Sequence, residues 1–202
     1  MLAAVSHDLR TPLTRMTLEL EMVDESSQPH LGDLHHDVDE MRELVEAYLS
    51  FARDESQELV EPTALGPIFE QMRERADRSG KSLAINLPRS ISVPLRPIAF
   101  RRCISNLVDN ACRYGSEISI SGADLKDHVQ ITIEDNGPGI PPSHREKALQ
   151  PFIRLDQQEP RRVGGTGLGL TIALDIILAH GGELKLDESS LGGLMAAIKL
   201  PH

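Results

Sequence analysis

Ser6-His7-Asp8-Leu9-Arg10-Thr11-Pro12-Leu13 sets an imidazole beside a carboxylate, with a hydroxyl one helical turn further on. A neutral imidazole is a good nucleophile near neutral pH, because its unperturbed pKa is about 6.5. A neighbouring carboxylate can hold the proton of one ring nitrogen while the other attacks. His7 is therefore the candidate nucleophile, with Asp8 beside it, and acceptance of a phosphoryl group is the chemistry the stretch suits. Leu2, Val5, Leu9, Met16, Leu20 and Val23 recur at three- and four-residue steps and make one apolar stripe. His7 lies about 160 to 200° of helical rotation from Val5 and Leu9 and so points off that stripe. Thr11, at i+4, shares its face. Pro12 lacks the N–H that would bond the Asp8 carbonyl, which predicts a kink at the turn carrying His7 and Asp8. Adjacent residues do not face each other on an ideal helix, so a His7–Asp8 contact needs that distortion or a water. In isolation the pair reads more readily as a surface histidine next to a surface aspartate, and only the rest of the chain overturns that.

A second amphipathic pattern follows the loop Glu25 to Gly32: Leu34, Val38, Met41, Val45, Tyr48 and Ala52 alternate four and three residues apart. Two antiparallel helices alone bury too little apolar surface, so the hairpin is expected to pair with a copy of itself as a four-helix bundle. His35-His36 diverge on such a helix and read as solvated. Near Glu61-Pro62 the composition changes and a linker is expected. Beyond it Gly66-Pro67 opens a helix that stops at Gly80, Leu83, Ile85 and Leu87 alternate as a strand, and Ile91 and Val93 suggest another. Pro97 suits the first turn of a helix whose buried side is Phe100, Ile104, Leu107 and Ala111, closed by Tyr114-Gly115. Strands follow at Ile118-Ile120 and Val129-Ile131-Ile133, then a helix from Gly169 to His180 that is apolar nearly all round and is expected to be buried against the sheet. Leu184-Leu186 and Leu194 to Leu200 flank Gly192-Gly193 as a hairpin. Short connections between strands favour a mixed, largely antiparallel sheet with helices on one face.

Three segments of this second region could hold a nucleotide. Asn106 and Asn110 lie one turn apart on the helical face away from Ile104 and Leu107, and Arg113 continues it; amide oxygens can ligate Mg²⁺ and arginine can meet phosphate. Asp135-Asn136-Gly137-Pro138-Gly139-Ile140 follows a strand as a tight turn, and a carboxylate there could accept a hydrogen bond from an exocyclic amine such as that of adenine. Gly164-Gly165-Thr166-Gly167-Leu168-Gly169-Leu170 opens the apolar helix and brings backbone N–H groups to the positive helix end. A Walker A loop would need Lys where Leu170 stands, and a dinucleotide fingerprint would need Gly there. Glu159 to Val163 reads as a mobile polar lid.

Composition narrows the classes. With 21 Lys+Arg against 31 Asp+Glu the formal net charge is -10, and aromatics are 3%, which argues against a nucleic-acid partner. Cys103 and Cys112 fall about 180° apart on one helix and read as buried free thiols suited to a reducing cytosol. Leu168 to Ala179 is too short to span a bilayer. Met1 begins directly in an amphipathic helix without a signal peptide, which suggests a piece of a longer protein.

Taken in order, these segments resemble a two-component sensor histidine kinase with a dimerising phosphoacceptor hairpin and a Bergerat-fold ATPase domain. Ser6 to Leu13 resembles the family's H box, Asn106 to Gly115 its N box, and Asp135 to Ile140 its first glycine box. Pro151-Phe152-Ile153-Arg154 resembles the F box, Gly165 to Leu170 the second glycine box and Gly192-Gly193 a third. The run His7 to Arg15 is also similar to proteobacterial osmosensing kinases. The resemblance implies an α+β chain: a hairpin over residues 1–58 forming a dimeric four-helix bundle, then an α/β sandwich over 59–202 that binds ATP and Mg²⁺. It makes His7 the phosphoacceptor, Asp8 the proton acceptor that orients it, Asn110 the Mg²⁺ ligand with Asn106 assisting, and Asp135 the adenine reader. Arg113, Tyr114, Gly115, Gly137, Gly139, Ile140, Arg154, Leu155, Asp156, Gly165, Thr166, Gly167, Leu168, Gly169, Leu170 and Thr171 follow as further nucleotide contacts, with Arg154 bridging lid or phosphate to the hairpin. Gly115 stands where the family often has a hydroxyl residue, and Leu194 lacks the aromatic often found after the last glycine box. The implied partners are a second copy of the chain and the receiver domain of a response regulator, which the protein would also dephosphorylate with Thr11 positioning the water. The implied setting is the cytoplasmic part of a bacterial inner-membrane receptor, soluble in itself and reaching the membrane only through segments outside this chain. The second domain also resembles ATPases of the gyrase and chaperone type, and a dimeric nucleotide-binding scaffold is a third reading. Neither of these needs His7, Asp8 and Thr11 on a dimerising hairpin.

Overall fold

The computed structural model describes Met16, Val38 and residues 58–88, 91–151, 153 and 167–202. The chain divides into two compact units, Met1–Glu55 with Gln158–Leu168, and Ser56–Gln157 with Gly169–His202. In the first unit Met16 and Val38 are both helical, one from each amphipathic pattern; Val38 is buried and Met16 is 47% exposed. The remaining positions of the two stripes, and with them the bundle and the His7 region, lie outside the described residues.

The second unit runs β1 (Glu61–Ala64), α1 (Leu65–Arg78), β2 (Ser82–Asn86), β3 (Ser92–Leu95), α2 (Pro97–Tyr114), β4 (Glu117–Asp124), β5 (His128–Asp135), α3 (Pro142–Ala148), α4 (Gly169–Ala179), β6 (Glu183–Glu188) and β7 (Leu194–Pro201). Five strands form one sheet in the order β2-β4-β5-β7-β6, with β2 and β4 parallel and every other pair antiparallel. This is the expected mixed sheet. Alternation fixes its core face: Val129, Ile131 and Ile133 of β5, Ile118 and Ile120 of β4, and Leu194, Ala196, Ile198 and Leu200 of β7 are buried. Asp135 is next in the period-two series of β5, so the strand carries its carboxylate onto the buried side and ends there.

Helices α1, α2 and α4 cover that face. α2 buries Phe100, Ile104, Leu107 and Ala111, the stripe expected from its spacing, and with them Ala99, Cys103 and Val108. It packs on α4, where the Cys103 thiol lies 3.7 Å from the Ala173 carbonyl. At its start the Glu58 carboxylate accepts hydrogen bonds from the N–H groups of Ile98 (2.6 Å) and Ala99 (3.1 Å), which no helical carbonyl reaches. His180, just past α4, accepts from the Arg96 N–H through Nε2 (3.0 Å) and donates from Nδ1 to the Ile176 carbonyl (2.7 Å), so the neutral Nδ1–H tautomer joins the end of α4 to the start of α2.

Several expectations need correction. The linker at Glu61-Pro62 is the strand β1, which pairs antiparallel with β3 in a separate two-stranded sheet, Glu61 opposite Leu95. α4 is not buried all round: Ile172, Ala173, Ile176 and Ile177 are, whereas Leu178 is 56% exposed. Of the two free cysteines Cys103 is buried but Cys112 only half so. α3 has no apolar periodicity and was not expected; Ala148 is its one buried residue.

Candidate functional site

Three chain segments meet around Asp135. Its Oδ1 accepts hydrogen bonds from the N–H groups of Gly137 (2.8 Å) and Leu194 (3.2 Å), and its carbonyl accepts from the Gly193 N–H (3.1 Å). The residue is 3% exposed, and burial pushes its carboxyl above the ordinary carboxylate range against the opposing pull of the Gly137 and Leu194 hydrogen bonds. A buried acceptor held at a strand end is what selective recognition of an amine requires, because a partner lacking the donor leaves it unsatisfied.

Glycine makes this approach possible. A Cβ at Gly137 would lie 2.8 Å from the Tyr114 carbonyl oxygen, and one at Gly193 would lie 2.5 Å from both the Asp135 carbonyl oxygen and the Gly137 nitrogen, and closer still to Asp135 Oδ1. Gly139, with φ +69°, stacks on the Gly193 carbonyl, so the turns at 135–140 and 189–193 interlock. Asn136 turns the other way: its Oδ1 accepts from the N–H groups of Ser116 (2.8 Å) and Glu117 (3.1 Å), tying the turn to the start of β4. Lys81 Nζ donates to the Gly115 carbonyl at 2.8 Å. Arg145 of α3 donates from Nε to the Ile140 carbonyl (3.0 Å) and from Nη1 to Asp187 Oδ1 (2.6 Å).

On α2 Asn106 and Asn110 are half-buried and Arg113 is exposed. Gly169 at the start of α4 sits against Asn106, its ideal Cβ position 3.9 Å from the asparagine Cβ and from its backbone carbonyl oxygen, which puts the start of α4 beside this residue of α2. Asn106 Nδ2 is buried and has no hydrogen-bond partner among the described residues. A buried amide without a partner fits a site that takes an oxygen-rich ligand: Nδ2 can donate to a phosphate oxygen, and an amide turned over presents its oxygen to a cation. Thr171, by contrast, spends its hydroxyl on the Leu149 carbonyl at 3.1 Å. Gly167, with φ +67°, and the buried Leu168 belong to the first unit. His7, Asp8, Thr11, Arg154, Leu155, Asp156, Gly165 and Thr166 lie outside the described residues.

Residues 96–202 match the family model described as histidine kinase-, DNA gyrase B- and HSP90-like ATPase, and residues 1–57 match the His Kinase A phospho-acceptor domain. The chain belongs to the sensor histidine kinases. Over its whole length this kinase is 36% identical to sensor histidine kinase GtrS of Pseudomonas aeruginosa and 34% identical to sensor histidine kinase CpxA of Escherichia coli, covering 41% and 46% of them. The chain thus spans less than half the length of these relatives. Among solved structures it is similar to the histidine kinase domain of the E. coli osmosensor EnvZ, 34% identical with a TM-score of 0.55 over 71% of this chain and 89% of that one. It is likewise similar to the mycobacterial sensor histidine kinase MprB, 26% identical with a TM-score of 0.62 over 71% and 97%. The phospho-acceptor match argues against the gyrase-type and scaffold readings. The matched ATPase domain is an ATP-binding one. Among the described residues no helix of the kinase is long and apolar enough to cross a membrane.

Asn136, Lys81, Arg145 and Glu134 were not among the residues the sequence singled out, although each holds a part of the site in place. Asn136 could have been found, since it lies inside the Asp135 to Ile140 turn. The other three act across 34, 42 and 56 residues of chain, Lys81 on Gly115, Arg145 on Asp187 and Glu134 as acceptor of the Ser190 N–H (2.9 Å), and no local pattern marks them.

Proposed function

We propose that this kinase core uses ATP to phosphorylate His7 and passes the phosphoryl group to an aspartate on the receiver domain of a response regulator. The observation that carries the reading is a phospho-acceptor domain match over residues 1–57 in the same chain as a buried, glycine-walled carboxylate at Asp135. Asp135 reads the adenine amine; Gly137 and Gly139 let the base approach; Tyr114, Gly115 and Ile140 border it. Asn110 with Asn106 holds Mg²⁺, which when bound neutralises charge on the phosphates, and Arg113 adds a cation. The Gly165 to Leu170 backbone supplies N–H donors, with Thr171 next to it, and Leu155 and Asp156, ahead of the lid in the chain, add contacts beside Arg154, which bridges lid or phosphate to the hairpin.

In the transfer a ring nitrogen of His7 bonds to the γ-phosphorus as the bond from phosphorus to the bridging oxygen breaks. ADP leaves, and Asp8 takes the proton from the other ring nitrogen. Residues 1–58 act as the dimerising domain and 59–202 as the ATP-binding one. The parent protein is a bacterial inner-membrane receptor whose cytoplasmic part contains this chain. Thr11 positions water for hydrolysis of the regulator's phosphoaspartate, so Thr11→Ala should lose phosphatase activity and keep autophosphorylation; equal loss of both would refute that role. The reading as a whole is tested by incubation with γ-labelled ATP: a phosphoramidate is labile in acid and stable in alkali, and label with the opposite profile would place the phosphate on a hydroxyl residue instead.

A further inference from the structure

Glu134 and Asp135 are neighbours at the end of β5 and so point to opposite faces of the sheet. Both hold the same β6–β7 turn. Glu134 Oε1 accepts hydrogen bonds from the Ser189 hydroxyl (3.2 Å), the Ser190 N–H (2.9 Å) and the Ser190 hydroxyl (3.0 Å), at the start of the turn. Asp135 takes the N–H groups of Gly193 and Leu194 at its end. The hairpin has no need of the Glu134 contact to form. β6 and β7 are already paired from Glu183 with Lys199 to Glu188 with Leu194, and the turn closes on itself through the Ser189 N–H to Gly193 carbonyl bond (3.0 Å) and the Gly192 N–H to Ser189 carbonyl bond (3.0 Å). What Glu134 adds is a fixed position of that closed turn relative to the strand end.

The consequence falls on Asp135. Gly193 sits so close to the Asp135 carboxylate and to the Gly137 nitrogen that no side-chain atom fits between them, so a shift of the turn moves or releases the carboxylate. We propose that Glu134 is a positioning residue for base recognition, clamping the β6–β7 turn so that Gly193 and Leu194 hold Asp135 in the orientation that distinguishes an amino-purine from an oxo-purine. The proposal rests on the reading of Asp135 as the adenine reader. Glu134 itself touches no nucleotide in this account.

The test is a set of dissociation constants for ADP and GDP, measured by titration calorimetry on the full chain, with folding checked by thermal unfolding. Loss of the hydrogen bonds at Glu134 is expected to lower the ADP-over-GDP preference of Glu134→Ala by about three- to tenfold. Glu134→Gln, which keeps an oxygen acceptor, should restore most of it. A purely structural role would lower the melting temperature or the number of competent sites and leave the ratio unchanged, and an unchanged ratio in folded Glu134→Ala overturns the proposal. If Glu134→Ala does not fold, Ser189→Ala/Ser190→Ala removes two of the three donors and takes its place, with the same ratio deciding. Asp135→Ala separates the two levels. Preference abolished there but intact in Glu134→Ala removes only the clamp; preference intact in Asp135→Ala removes the adenine reading and the clamp with it.

Discussion

The turn at Asp135–Ile140 and the turn at Ser189–Gly193 meet at one end of the sheet, yet only the first carries a group able to do chemistry. The first turn follows a strand whose period-two burial delivers a carboxylate to the core side, and its two glycines and proline admit little other than a tight bend. The second offers two serines, a leucine and two glycines, and its importance comes from where its backbone lies: Gly193 and Leu194 donate to Asp135, and Gly193 fills space no other residue could. A site can therefore depend as much on a chemically silent turn as on the one bearing the functional group, since buried polar atoms need their partners fixed.

If that is right, the silent turn is the more fragile of the two. Gly193→Ala should cost about 1–3 kcal/mol of stability through overpacking and also abolish measurable ATP binding. Urea unfolding and nucleotide titration check both, and a stable variant that binds ATP normally would break the comparison. Asp135→Asn should behave differently. Because burial raises the Asp135 pKa in the folded state, the folded protein binds its proton more tightly than the unfolded chain, and ionisation costs stability as pH rises from the unfolded value through the raised one. The asparagine variant keeps an oxygen for Gly137 and Leu194, lacks that cost, and should match or exceed the parent in stability at neutral pH while losing adenine preference. Unfolding measured at acid and neutral pH reveals it as a stability difference that grows in the variant's favour as pH rises.

Smaller effects sharpen the contrast. Arg145→Ala removes the donors to Ile140 and Asp187, but the Arg145–Asp187 pair is partly exposed, so ATP affinity should fall only about two- to fivefold. Glu58→Ala acts far from both turns, at the start of α2. It should cost about 1 kcal/mol of stability as a lost helix cap and leave nucleotide affinity unchanged.

The sequence made α2 legible because a single stripe of apolar residues at helical spacing decided both its type and its buried side, and β5 because strict alternation did the same. It misled where such a pattern was missing or in excess. β1 is four residues long with a proline inside, and only its pairing with β3 makes it a strand. α4 is apolar almost throughout, so composition gave no clue that Leu178 would face outward. Asp135 and its glycines announced the proposed base site through turn chemistry. Glu134 and Arg145 did not, because a polar residue that positions another looks like any surface residue until its distant partner, Ser190 or Asp187, is in view.

The central claim is that the nucleotide bound by the second domain delivers its terminal phosphoryl group to His7. Incubation of the parent chain and His7→Gln with γ-labelled ATP tests it most directly, with ATP affinity measured on the same samples. The account predicts label on the parent, none on His7→Gln, and closely similar ATP affinity in the two. Label persisting on His7→Gln would contradict it.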